Sequence, residues 1–179
     1  MRIIEYFEQT NDMQKYLREQ IVQGDWRAAK YLYEVLEQGK LKERYGESTR
    51  LLLLVEDSEL LAFCTLAEQD EITEEETEPG MKPWIGFVYT FPNHRGNRHS
   101  EKLIQHACEL AKQDGYEKVF LSSNEVGLYE KYGFGFLKMM HTVWSEETQV
   151  FMKELLELRK GCNSKTREDG VCNERKGGR

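Results

Sequence analysis

Asn93-His94-Arg95-Gly96-Asn97-Arg98-His99-Ser100 decides the reading of this chain. Before it runs an apolar segment, Trp84 to Phe91; after it Leu103, Ile104, Ala107, Leu110 and Ala111 recur at helical spacing. A strand turning straight into a helix aims successive backbone N–H groups and the positive end of the helix dipole outward, which makes an anion site. Between Asn93 and Lys102, Arg95, Arg98 and Lys102 stand against Glu101, a local charge of +2 before the histidines are counted. No G-K-[ST] follows, so the loop is not a P-loop, and it lacks the G-x-G-x-x-G dinucleotide fingerprint.

The elements around this loop read as mixed α and β. Ile3 to Phe7 is a short strand; Met13, Tyr16, Leu17, Gln20 and Ile21 then follow at helical spacing behind Thr10 as cap, with Gly24 as the stop. Asp25 is expected to cap a second helix carrying Trp26, Ala29, Leu32, Tyr33 and Leu36 on one stripe. Leu51 to Val55 and Leu60 to Leu66 flank Glu56-Asp57-Ser58-Glu59 as a hairpin, and Trp84 to Phe91, bounded by Pro79, Pro83 and Pro92, extends that antiparallel sheet. A helix to about Gln113 and a strand Lys118 to Ser122 complete a βαβ unit. A short helix at Val126 to Tyr132 and strands near Phe136 to Trp144 and Thr148 to Met152 close the body.

The 179 residues suit one ordinary domain. The formal charge of −7 is a cancellation: residues 159–179 carry 7 basic and 3 acidic side chains, net +4, leaving −11 on residues 1–158. The body is therefore expected to be the domain, and the basic tail, poor in apolar residues, a disordered extension. An acidic body argues against nucleic acid and anionic membranes as partners. No apolar run is long enough to span a bilayer and the N-terminus lacks a secretory h-region, so a cytoplasmic protein is expected. Cys64, Cys108, Cys162 and Cys172 show no metal-ligand spacing and are expected to remain thiols, with neither metal nor disulfide. Glu68 to Glu78 packs 7 carboxylates into 11 residues without a basic one, which reads as a self-repelling loop.

A second stretch carries the functional reading: Ser123-Asn124-Glu125-Val126-Gly127-Leu128-Tyr129-Glu130-Lys131-Tyr132-Gly133-Phe134. With Pro92 to Leu103 it resembles the GNAT superfamily of acyl-CoA-dependent N-acetyltransferases. In that family a strand leads into R/Q-x-x-G-x-G/A, and a later strand is followed by a helix ending in L-Y-x-x-x-G-F. The first motif maps onto Arg95, Arg98 and Ser100, the second onto Leu128, Tyr129, Gly133 and Phe134. Arg98 stands where the family most often has Gly, and Asn124 lies nearer to Tyr129 than the family's usual asparagine.

The resemblance implies an α/β (α+β) fold with a mixed, largely antiparallel central sheet flanked by helices, and acetyl-CoA as co-substrate. It places Arg95, Gly96, Asn97, Arg98, His99 and Ser100 around the coenzyme pyrophosphate. Tyr89 and Thr90 would pair their backbone with the pantetheine arm, and Asn124 is a further coenzyme contact. The acceptor, a primary amine on a small molecule or a protein or peptide, would attack the thioester directly, with Tyr129 hydrogen-bonding the departing thiolate.

A free phenol near pKa 10 and a thiol near 8.5 differ by about 2 kcal/mol, so hydrogen bonding is the safer role than full proton transfer. Deprotonating a lysine-like amine at pH 7 requires about 4.6 kcal/mol, enough to want a base. Trp84 to Thr90 offers no carboxylate; Glu68, Asp70 and Tyr89 through water are candidates, and no motif selects among them. The alternative function is a non-catalytic acyl-CoA-binding sensor or scaffold.

Overall fold

Leu51 to Val55 and Leu60 to Ala67 are near-continuous apolar runs, the pattern of strands covered on both faces. In the computed structural model, which describes residues 1–155, they form β2 (Arg50–Glu56) and β3 (Glu59–Ala67) at the heart of one sheet. Asp57 and Ser58, both at positive φ, make the tight turn between them. Leu51, Leu53, Val55 and Phe63 bury into one cluster with α1 (Asn11–Ile21) and α2 (Arg27–Glu37). Leu52, Leu54, Ala62, Cys64 and Leu66 bury into another beneath α4 (His99–Gln113). α3 (Leu41–Tyr45) is a short helix not anticipated from the sequence.

The sheet has seven strands in the order β1-β2-β3-β4-β5-β7-β6, with β1 at Arg2–Glu5, β4 at Trp84–Thr90, β5 at Lys118–Ser122, β6 at Gly135–His141 and β7 at Glu147–Glu154. Every neighbouring pair is antiparallel except β4 and β5, which run parallel because α4 crosses between them. The expected fold class is thus the observed one, and among the described residues no helix is long and apolar enough to cross a membrane.

Several local expectations change. Thr10 caps α1 as expected, its hydroxyl accepting from the Met13 N–H at 3.4 Å. Asp25 does not cap α2: Trp26 occupies the cap position without a side-chain bond, and the Asp25 carboxylate instead accepts from the Tyr89 hydroxyl. Gly24 is more than a stop, because a Cβ there would lie 3.1 Å from Ala29 Cβ and 3.2 Å from the Tyr89 ring. The helix expected over Val126 to Tyr132 shrinks to one 3-10 turn, Glu130–Tyr132.

The acidic segment is a loop, as expected, but five of its seven carboxylates find partners elsewhere in the chain. Glu68 accepts from Ser48, Asp70 from Ser122, Glu71 from Tyr45, Glu76 from His141 and Glu78 from Lys138. An isolated bridge between Ile72 and Thr142 ties it to the end of β6. Cys64 and Cys108 are buried thiols; Cys162, Cys172 and the expected basic tail lie outside the described residues.

Candidate active site

β4 is where the sheet opens. Its register against β3 runs Thr65↔Gly86 and then Phe63↔Tyr89, so Phe87 and Val88 together face Cys64 in a β-bulge. Phe87 takes φ +47°, a left-handed conformation unusual for an aromatic residue. The bulge turns the strand, and its pairing with β5 is confined to Trp84↔Phe120. From Gly86 to Thr90 the β4 edge that faces β5 has no strand partner among the described residues, while the other edge stays paired to β3. That unpaired edge forms one side of a fork, and its Thr90 carbonyl accepts from the Arg95 side chain.

The fork ends in the anion loop. Residues 92–94 form a 3-10 turn, Gly96 takes φ +81°, and Arg98 takes φ +55° immediately before α4. Arg98 thus adopts the conformation a glycine would supply at no steric penalty. The first helical bond runs from the Lys102 N–H to the Arg98 carbonyl, and among the described residues the N–H groups of Gly96 to Glu101 meet no acceptor. That row of donors, with the helix dipole behind it, suits a phosphate group.

Side chains complete this end. Asn97 bridges back to the carbonyls of His94 and Arg95 at 3.2 and 3.3 Å, fixing the turn. Arg98 is 80% exposed and 3.5 Å from Glu101, free to swing toward a ligand. Arg95 lies across the end of β4, donating to the Thr90 carbonyl at 3.1 Å and to Asp25 at 3.3 Å. Ser100 shares a hydrogen bond of 3.2 Å with the Tyr132 hydroxyl. His99 is buried, with Nδ1 unpartnered; burial, then Lys102 and His94, hold its pKa below the usual range. Thr90 Oγ1 is likewise buried and unpartnered.

The two faces of the fork differ. Tyr129 lies on the α4 face among Cys64, Ile85, Leu121, Phe134 and Phe151. Burial pushes its phenol up to about 12, opposed by a hydrogen bond from Ser123, so at neutral pH it is a protonated donor. Against a thiol near 8.5 the gap is then about 5 kcal/mol, which strengthens the case for hydrogen bonding over proton transfer. Asn124 braces the loop before Tyr129: its amide donates to the Glu147 carbonyl at 3.0 Å and accepts from the Gln149 N–H at 3.2 Å. Both ends of that side chain are thus already occupied by backbone.

On the opposite face Asp70 accepts from the Ser122 hydroxyl at 2.5 Å, and its Oδ1 lies 3.6 Å from where a Gly86 Cβ would be. Gly86 and Ser122 each stand two residues beyond the Trp84↔Phe120 pair, so Asp70 sits over the vertex of the fork. Beside it Trp26, Tyr31, Tyr45 and Phe87 form an aromatic wall, with Trp144 of the β6–β7 turn against Tyr31. Tyr89 stacks on Trp26 at 5.7 Å with its hydroxyl held by Asp25. Sequence reasoning placed neither the Asp70–Ser122 pair nor the Asp25–Tyr89 pair, because each joins residues at least 50 positions apart. No cluster of three metal-ligating side chains occurs among the described residues.

The family described as Acetyltransferase (GNAT) family matches residues 13–134. Among solved structures, an aminoglycoside 6'-acetyltransferase type Ii is 13% identical with a TM-score of 0.65, the match covering 88% of this chain and 99% of that one. The aminoglycoside 6'-N-acetyltransferase from Enterococcus faecium is 13% identical with a TM-score of 0.63, covering 88% and 98%. A GNAT family N-acetyltransferase from Escherichia coli, in complex with CoA, is 13% identical with a TM-score of 0.59, covering 87% and 81%. At such identities the likeness is one of fold. No curated protein matches the chain.

Proposed function

Because the chain belongs to the acetyltransferase (GNAT) family, we propose that it transfers an acetyl group from acetyl-CoA to a primary amine by direct attack. The observation that carries this reading is the β4–β5 fork, which ends in a row of N–H donors and has the Tyr129 phenol on one face. In this reading the amides of Gly96 to Ser100 hold the pyrophosphate, with the charges of Arg95 and Arg98 beside it. The β4 edge at Tyr89 and Thr90 pairs with the pantetheine amides, an imitation of strand addition by a ligand. Asn97 and Asn124 hold their loops in shape, and His99 seats the first turn of α4.

The reaction conserves atoms simply. The amine lone pair forms a bond to the thioester carbonyl carbon, the tetrahedral intermediate collapses, and the C–S bond breaks with its electrons on sulfur. Tyr129 donates a hydrogen bond to that sulfur as negative charge develops on it. The nitrogen loses two protons in passing from ammonium to amide; one ends on the coenzyme thiol, the other in solvent. A cytoplasmic setting suits the thiols and the co-substrate.

The decisive experiment incubates the protein with acetyl-CoA and a broad amine library while free thiol is followed, alongside calorimetry with coenzyme A. Thiol release dependent on one amine class supports transfer. Coenzyme binding without release for any amine would favour the non-catalytic sensor.

A further inference from the structure

We propose that Asp70 takes the proton from the acceptor ammonium, with Ser122 as the positioning residue that holds its carboxylate over the vertex of the fork. The inference rests on the acetyl transfer proposed above and names its proton acceptor.

Three observations converge. Asp70 bonds Ser122 of β5 at 2.5 Å and lies against Gly86 of β4, so its carboxylate sits where the two strands part. It occupies the face opposite Tyr129. A thioester lying in the fork with its sulfur toward Tyr129 would offer its carbonyl carbon to an amine approaching from the Asp70 side, so the group that takes the amine proton and the group that stabilises the departing sulfur stand apart. Finally, a cleft of about 300 Å³, lined by Asp70, Gln69, Glu74, Glu78 and Trp84 among others, joins the carboxylate to solvent. A half-buried base beneath the acceptor can return its proton through such an exit.

The electrostatics agree with this geometry. Burial raises the Asp70 pKa, the Ser122 and Glu71 N–H hydrogen bonds lower it, and the Glu71 carboxylate raises it. Glu74 and Glu78 line the same cleft. A carboxylate whose pKa is raised is a stronger base in its ionised form, which favours proton abstraction. Glu68 is a poorer candidate, since two bonds from Ser48 hold its pKa down and tie it to the α3–β2 loop. Tyr89 is committed to Asp25.

The step balances as follows. R–NH3⁺ passes one proton to the Asp70 carboxylate and becomes R–NH2, which attacks the thioester. The second nitrogen proton leaves after C–N bond formation and accompanies the thiolate, and Asp70 returns its proton to solvent through the cleft.

The test uses the full chain and two probes, benzylamine, an ammonium at neutral pH, and aniline, which is already neutral there. Asp70→Asn is expected to lower kcat/KM for benzylamine about 100-fold or more, and for aniline by less than about tenfold. Coenzyme A affinity by calorimetry should stay unchanged, showing that the fold survives. Equal losses with both amines, or no loss with benzylamine, would overturn the assignment.

Ser122→Ala removes a bond that favours the carboxylate, so the acidic limb of the benzylamine pH profile should move to higher pH; an unmoved limb would remove Ser122 from the device. A carbon-13 titration of the Asp70 carboxyl needs no acceptor: a group that stays protonated throughout the neutral range would sink the idea. Absence of thiol release with both probes and the whole library, while coenzyme A binds, would instead remove acetyl transfer itself, and the proton acceptor with it.

Discussion

Tyr129 and Arg98 show how single residues divide work between fold and chemistry. Tyr129→Phe keeps the ring that packs against Phe134 and Phe151 and deletes only the donor. It is expected to lower kcat about 100-fold with coenzyme affinity unchanged, as measured by thiol release and calorimetry. Because burial raises this phenol to about 12, the native state keeps its proton where the unfolded chain, near pKa 10, loses it. The native state then binds more protons than the unfolded, so this group's contribution falls as pH rises through that window, and no loss of activity should trace to it below pH about 10. Arg98→Gly tests the other kind of residue. It relieves a left-handed non-glycine conformation worth about 1 kcal/mol, so the unfolding temperature should rise by about 2–4 °C. In the proposed reading coenzyme A should also bind more weakly and with a shallower salt dependence, since an exposed guanidinium is lost from the anion loop.

Among the elements, β4 and the turn that leads into α2 carry the site between them. Gly24 lies in that turn and packs flat against Tyr89. Gly24→Ala would push on Ala29 and on the Tyr89 ring together, with an expected loss of about 1–3 kcal/mol in chemical denaturation. The same push would loosen the stack of Tyr89 on Trp26 and the grip of Asp25 on Arg95. Legibility in the sequence follows the range of the forces involved. The strand, turn and helix around Arg95 to Ser100 declare themselves because loop chemistry and apolar spacing act within a few residues. The hairpin at Asp57-Ser58 and the Thr10 cap are readable for the same reason. The bulge at Phe87 left no local mark, for nothing in Trp-Ile-Gly-Phe-Val-Tyr-Thr demands a positive φ; the misregister with β3 creates it. Asp25 reads locally as a cap, but its partner in the fold, Tyr89, is 64 residues away. The partners of the acidic segment, among them Ser122, Tyr45 and Lys138, were out of reach in the same way.

For the molecule as a whole, the charge is uneven: −11 on residues 1–158 against +4 on residues 159–179. We propose that residues 159–179 lie outside the cooperative unit, so a chain ending at residue 158 should melt at the same temperature in calorimetry. Its body charge of −11 should still leave coenzyme A affinity within a factor of a few, since the donors proposed to hold the phosphates are backbone groups of a local basic loop.

The sheet, meanwhile, is two smaller sheets sharing a seam. β1 to β4 form one panel and β5, β7 and β6 another, and among the described residues Trp84↔Phe120 is the lone ladder step that joins them. A pantetheine arm lying along β4 would act as an eighth strand made of coenzyme, a splice between panels that the polypeptide leaves parted. Ligand binding would then read out mechanically: amides from Gly86 to Thr90 should exchange with deuterium more slowly once coenzyme A is added, and the two panels should unfold as one unit at a higher temperature.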